Sequence, residues 1–164
     1  MTSGSSDEAG ALSKEGSRNR SVLLRAMARE QIDVDTVTWL SAAESEAVVS
    51  RWKKEFGAER YGALVAVAPE SGSVRDTLLP GVLPSWLTPV TEPVFVLFQE
   101  YKTVGLMTCE SSFVAANLIP LARADGNGFV AVTRDWTGVL IVDLEEEDSE
   151  VVFPTEAWGV FVRR

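Results

Sequence analysis

Two stretches of strand-forming residues, 129–134 (FVAVTR) and 139–144 (VLIVDL), flank the tetrapeptide Asp135-Trp136-Thr137-Gly138. Short runs rich in Val, Ile and Phe around a turn with glycine predict a β-hairpin, with Gly138 expected to take the left-handed conformation. A hairpin is antiparallel, so this feature points to an antiparallel sheet in the second half of the chain. Other segments supply further strands. Residues 94–99 (VFVLFQ) and 103–108 (TVGLMT) predict an antiparallel pair across a turn at 100–102. Residues 151–153 and 159–162 predict one or two closing strands, and residues 62–68 (GALVAVA), ended by Pro69, predict a strand covered on both faces.

The helical signals lie near the N-terminus. Ser41 followed three residues later by Glu44 is a capping box, which satisfies two orphan amides at a helix start. Val48, Trp52 and Phe56 then recur every four residues, Lys53 and Lys54 suit the negative end of the helix dipole, and Gly57 suits a C-terminal stop. A helix over 42–56 is expected, its Trp52/Phe56 stripe serving the core, with a partner anchor as the rarer use. Residues 21–31 (SVLLRAMAREQ) predict an earlier helix, and residues 32–40 either a short strand or a lead-in. Ser111 or Ser112 is expected to cap a short helix through Asn117, stopped by Pro120, before the turn Asp125-Gly126-Asn127-Gly128. Pro80, Pro84, Pro89 and Pro93 predict irregular surface or a lid over 75–93, with Trp86 as a plug or an exposed anchor.

The fold class that follows is α+β, with N-terminal helices packed on a mainly antiparallel β-sheet. Residues 1–20 are nearly devoid of apolar side chains and read as a flexible tail, without the apolar core of a signal peptide. Residues 21–164 read as a single α+β domain, a length that can bury a core unaided. No apolar run approaches the roughly 18–20 residues of a membrane span. With one cysteine and no targeting segment, a cytoplasmic location is expected.

Composition now narrows the chemistry. The chain has no histidine, one cysteine and a net charge of −9. Triads and metal sites that use histidine are therefore excluded, as are an internal disulfide and a cysteine-cluster zinc site. The acidic balance argues against direct nucleic-acid binding. Asp125-x-Asn127 begins like a calcium loop, but the twelfth position is Trp136 rather than a bidentate glutamate, so a turn is expected. Cys109 stands beside Glu110, which raises rather than lowers a thiol's pKa, and neither Ser111 nor Ser112 lies in a nucleophile elbow. Gly126-x-Gly128 lacks the third glycine of a phosphate loop. A pair drawn from Glu100, Asp125, Asp135 and Asp143 could serve acid–base work only if the fold brought two together. No catalytic, cofactor-binding or metal-ligating residue is assigned, and no cofactor is called for.

The remaining signal is electrostatic. The first 31 residues are close to neutral, whereas Asp143, Glu145, Glu146, Glu147, Asp148 and Glu150 place six carboxylates within eight residues. Such a run can be a solvated loop that shields a sheet edge. It can also dock a basic partner, with Trp136 at the neighbouring hairpin tip as an apolar anchor inside a charged rim.

The stretch 118–144 (LIPLARADGNGFVAVTRDWTGVLIVDL) resembles the central sheet signature of the SUKH superfamily, through Leu118-Ile119-Pro120, Gly126-Asn127-Gly128, Gly138 and Val142-Asp143. The resemblance implies a small α+β protein of the kind that includes bacterial immunity proteins, acting by binding with no catalytic residue. It lacks the family's Asn-Gly-Gly turn and N-terminal helix opening, for which only Leu83-Pro84-Ser85-Trp86 is a candidate. The expected function is therefore a non-enzymatic protein-binding protein, an immunity protein occluding a toxin domain. The alternatives are an acidic secretion chaperone, or a ligand-binding or enzymatic domain with carboxylates in a pocket beneath 75–93.

Overall fold

The computed structural model describes residues 12–56, 73–88 and 91–163. The chain begins with helix α1 (Lys14–Arg29), strand β1 (Thr38–Trp39) and helix α2 (Ala42–Phe56). Strand β2 (Val74–Thr77), strand β3 (Pro93–Phe98) and the single turn α3 (Tyr101–Val104) follow, then strand β4 (Met107–Glu110). Helices α4 (Ser111–Ala116) and α5 (Leu118–Asp125) lead into β5 (Gly128–Thr133) and β6 (Gly138–Asp143). The C-terminal part holds β7 (Glu145–Glu147), β8 (Glu150–Val152) and β9 (Pro154–Gly159).

Seven strands form one sheet in the order β1-β4-β3-β5-β6-β9-β2, and every neighbouring pair is antiparallel. The expected hairpin is its centre: β5 and β6 pair from Gly128 opposite Asp143 to Val132 opposite Val139. Both of these strands are buried along nearly their whole length, because helices cover both faces. Strand alternation sorts the side chains. Val94, Val96, Phe98, Phe129, Ala131, Leu140 and Val142 pack with Leu23 and Met27 of α1 and Leu118 and Leu121 of α5. Leu97, Val130, Val132, Val139 and Ile141 pack with Trp52 of α2. The architecture is α+β, with N-terminal helices against the antiparallel sheet, and α1 and α2 lie on opposite faces.

Helix α2 has the bounds its capping box predicts. The Glu44 amide donates to Ser41 Oγ at 3.2 Å, and Glu44 Oε2 accepts the Ser41 amide at 2.8 Å. The Ser41 amide and hydroxyl, both donating to Glu44 Oε2, hold the Glu44 carboxyl below its ordinary range. Trp52 is buried in the core, as the stripe implied. Gly57 and the strand expected at 62–68 lie outside the described residues.

Helix α1 starts seven residues before the expected Ser21, so residues 14–20, read as tail, are helical. The anchors there are polar, which composition cannot register. Ser13 Oγ accepts the Gly16 amide at 3.0 Å, and Asn19 Nδ2 donates to Thr103 Oγ1 at 3.1 Å. Arg20 Nε donates to the Val104 carbonyl at 2.7 Å, while the guanidinium lies 4.7 Å above the Trp39 ring.

Four further expectations are corrected. The strand after β3 is Met107–Glu110 rather than 103–108, because Tyr101–Val104 forms a helical turn and Gly105, at φ 79°, redirects the chain. Pro120 does not stop a helix: it stands in the first turn of α5, where an amide has no intrahelical partner to lose. Neither Ser111 nor Ser112 occupies the cap position of α4, which belongs to Glu110. In the β5–β6 turn the left-handed residue is Trp136, at φ 66°, held as Thr137 donates from N and Oγ1 to Asp135 Oδ1. At Gly138 a Cβ would lie 2.7 Å from Val160 Cγ2 and 3.0 Å from Phe161 Cδ2, so a larger residue there would push those side chains aside.

The proline-broken segment contains an edge strand, β2, paired antiparallel with β9. Beyond it, Leu87 bridges to Val162, the Thr88 amide donates to the Phe161 carbonyl at 2.8 Å, and the Arg163 amide donates to the Trp86 carbonyl at 2.8 Å. Residues 160–162 are thus a bridged turn rather than a regular strand. Trp86 pins the segment, its ring against the core and its Nε1 donating to Asp76 Oδ2 at 2.7 Å.

Candidate functional site

The acidic run folds into a small ribbon of its own. β7 and β8 pair antiparallel outside the seven-stranded sheet, with Glu145 opposite Val152, Glu146 opposite Val151 and Glu147 opposite Glu150. The two-residue turn uses Asp148 and Ser149 at φ 49° and 69°, the twist that tight hairpins favour. Every residue from 145 to 151 is exposed. Among the described residues the ribbon does not pair with the main sheet, whose edge strands there are β1 and β2. Among the described residues no cation forms an ion pair with Glu145, Glu146, Glu147, Asp148 or Glu150. Asp143 at the ribbon's base is half-buried, and burial, with Glu145 and Glu156 adding repulsion, pushes its carboxyl up.

Trp136 does not join this surface. It sits at the opposite end of β6 from Asp143, a separation of roughly 17 Å at the ordinary strand rise. Its half-buried ring meets Trp52 edge-on at 6.3 Å and Phe95 at 6.5 Å, with the Arg51 guanidinium 5.5 Å from its centre. The sequence made the two features neighbours, but an intervening strand places them at opposite ends of the sheet.

Of the four carboxylates considered for acid–base work, Glu100 and Asp125 come together, lining one cavity of about 380 Å³, whereas Asp135 and Asp143 stand at opposite ends of β6. Asp135 is engaged in its own turn, and the bonds from Thr137 and Thr133 hold it below the usual range. Asp125 ends α5, and its Oδ1 accepts the Gln99 amide at 3.2 Å. Burial first, and the Glu100 charge to a lesser degree, push the Asp125 carboxyl up to about 6. Asn127 Nδ2 donates to Gln99 Oε1, so Asp125 and Asn127 clasp one residue across the turn. Among the described residues no group of three acidic or cysteine side chains is placed to hold a metal ion. Cys109 is buried on β4, and burial with the Glu110 charge pushes its thiol up to about 12. Ser111 is buried and Ser112 is exposed.

An apolar groove, unread in the sequence, opens between the segment after β2 and the α4–α5 pair. Its wall is the segment after β2, where Leu79, Val82 and Leu83 are 63%, 58% and 61% exposed. Its floor is the facing side of α4 and α5, including Ala115, Ile119 and Pro120, around a cavity of about 460 Å³. Among the described residues no charged side chain lines it. The Leu78 amide donates to the Phe153 carbonyl at 3.0 Å, and Phe153 directly follows β8. That bond ties the start of the groove wall to the base of the acidic ribbon. The available sequence signal was Leu78-Leu79-Pro80-Gly81-Val82-Leu83, apolar residues where prolines preclude a periodic element.

No helix among the described residues is long and apolar enough to cross a membrane. Compared with protein-family models, curated proteins and solved structures, the chain shows no significant match to any of them.

Proposed function

We propose that this protein acts by binding rather than by catalysis, as an immunity-like inhibitor that occludes the active surface of a basic partner, a toxin domain, in the cytoplasm. The observation that carries the reading is the β7–β8 ribbon: five carboxylates at Glu145, Glu146, Glu147, Asp148 and Glu150, exposed and without ion pairs among the described residues. Like charges held together repel, so the cluster costs the isolated protein some stability. That cost is offset when a cationic surface arrives, and the field of the cluster speeds its arrival. A toxin that acts on nucleic acid presents such a surface, because phosphates demand one. The resemblance of residues 118–144 to the SUKH superfamily supports the same class. Trp136, half-buried against Trp52, serves the core in this reading, and the charged part of the contact surface is the ribbon.

The test is co-purification with the product of the adjacent gene, followed by reversal of Glu145, Glu146, Glu147 and Asp148 to lysine. The expected result is an association rate at least tenfold lower and a flattened salt dependence. A specific complex with unchanged affinity and unchanged salt dependence removes the ribbon from the interface.

A further inference from the structure

We infer that the groove between residues 79–83 and the α4–α5 pair receives an amphipathic helix of the partner, apolar on the buried face and basic along the flank beside the β7–β8 ribbon. The inference rests on the proposed binding function and specifies its anchor.

The groove has the character of a seat for side chains rather than for a polar ligand. Three large aliphatic residues within five positions, Leu79, Val82 and Leu83, stay more than half exposed. Single exposed leucines are ordinary, but a contiguous set around a concavity marks an interaction surface. The cavity, about 460 Å³, lies within the size range that encloses a compact ligand or a few apolar side chains. Ser112, Ala115 and Ala116 keep the α4 side of the floor shallow, so a second backbone can approach. The lining comes from two helices and an irregular segment, which suits a helix laid in a groove rather than strand addition.

Charge selects the occupant. The whole chain carries −9, and the ribbon's carboxylates at 145–148 and 150 form no ion pair among the described residues. The Leu78–Phe153 hydrogen bond joins the base of the ribbon to the start of the wall, where Arg123 lies 5.4 Å over the Phe153 ring. Val151, 53% exposed on β8, extends apolar surface onto the ribbon itself. A helix with leucines at i, i+3, i+4 and i+7 and lysines on one flank meets both features at once. A second copy of this chain would bring another −9 to the same rim.

The probe is a synthetic 15-residue leucine–lysine amphipathic helix, with a leucine–glutamate helix of the same apolar face as its control. Binding to the full chain is followed by amide chemical shifts and by titration across a salt series. The lysine peptide is expected to shift amides in 79–83, 115–120 and 145–151, and to bind at least tenfold more tightly than the glutamate peptide. Leu79→Ser with Leu83→Ser should weaken it at least tenfold and leave its salt slope unchanged, and Ala116→Arg should block it from the floor. All three positions are exposed, so these variants retain the fold. Shifts confined to the ribbon, unmoved by the serine variant, overturn the groove and leave the acidic-surface reading standing. Equal binding of the two peptides overturns this inference and that reading together. Concentration-dependent dimerisation in sedimentation, abolished by the serine variant, assigns the groove to a second copy and overturns the inference.

Discussion

The ring of Trp136 meets that of Trp52 edge-on, centroids 6.3 Å apart at 84°, and so joins the β5–β6 turn to helix α2. The contact places Trp136 in the packing of the sheet's second face.

Trp136→Ala should therefore destabilise the fold, by about 2 kcal/mol for a half-buried aromatic pair. Because the backbone there sits at φ 66°, Trp136→Gly should be at least as stable as Trp136→Ala, reversing the usual order of the two residues. Urea unfolding of both variants measures this. An alanine variant clearly more stable than the glycine variant contradicts the strained turn.

Ser45 is 6% exposed, and its Oγ accepts the amide of fully buried Leu106 at 3.0 Å. Ser45→Ala strands that amide without water, at a cost of about 1–3 kcal/mol. Ser41→Ala, at a cap open to solvent, should cost about 1 kcal/mol. Thermal unfolding of the pair ranks them, and equal losses would show that the Leu106 amide finds another partner.

Asp125 predicts an unusual pH response for a carboxylate. Its folded-state pKa is raised, from the ordinary 3.8 to about 6, so folding favours the protonated form. Its contribution is fully present below pH 3.8 and is lost as pH rises through 6. Asp125→Asn keeps an acceptor for the Gln99 amide without the buried charge. The variant should gain over the parent in Tm at pH 7.5 and lose most of that gain at pH 4. A gap independent of pH would refute burial of the charge as the cause.

Two left-handed glycines should respond very differently to alanine. At Gly126, φ 84°, a Cβ meets nothing within 4 Å, and Gly126→Ala should cost about 1 kcal/mol of backbone strain. At Gly159, φ 69°, the Cβ would lie 1.9 Å from the Thr137 carbonyl oxygen, part of the turn backbone. Gly159→Ala should cost at least about 3 kcal/mol, or prevent folding, because the clash adds to the strain. Comparable Tm values for the two variants would show that β9 shifts freely.

Much of the fold was legible because local chemistry repeats it. The Ser41/Glu44 box and four-residue spacing marked α2 to the residue, and the two β runs around the 135–138 turn marked the sheet's centre. The errors have physical sources. Residues 14–20 looked like tail because their anchors, Asn19 and Arg20, bond to Thr103 and Val104 some 84 positions away. Strand β2 is short and exposed, with the pattern of a loop, and becomes a strand only by pairing with β9.

For the candidate site the division is sharper. Charge is additive, so the density of carboxylates over 143–150 could be counted along the chain. Nearness in space is not additive. A single strand carries Trp136 away from those carboxylates, while β2–β9 pairing and the Leu78–Phe153 bond join a distant apolar segment to the base of their ribbon. Short-range terms, capping, turn preference and alternation, act within a few residues and are written locally. Which surfaces meet depends on contacts between residues tens of positions apart, and those exist only once the sheet has closed.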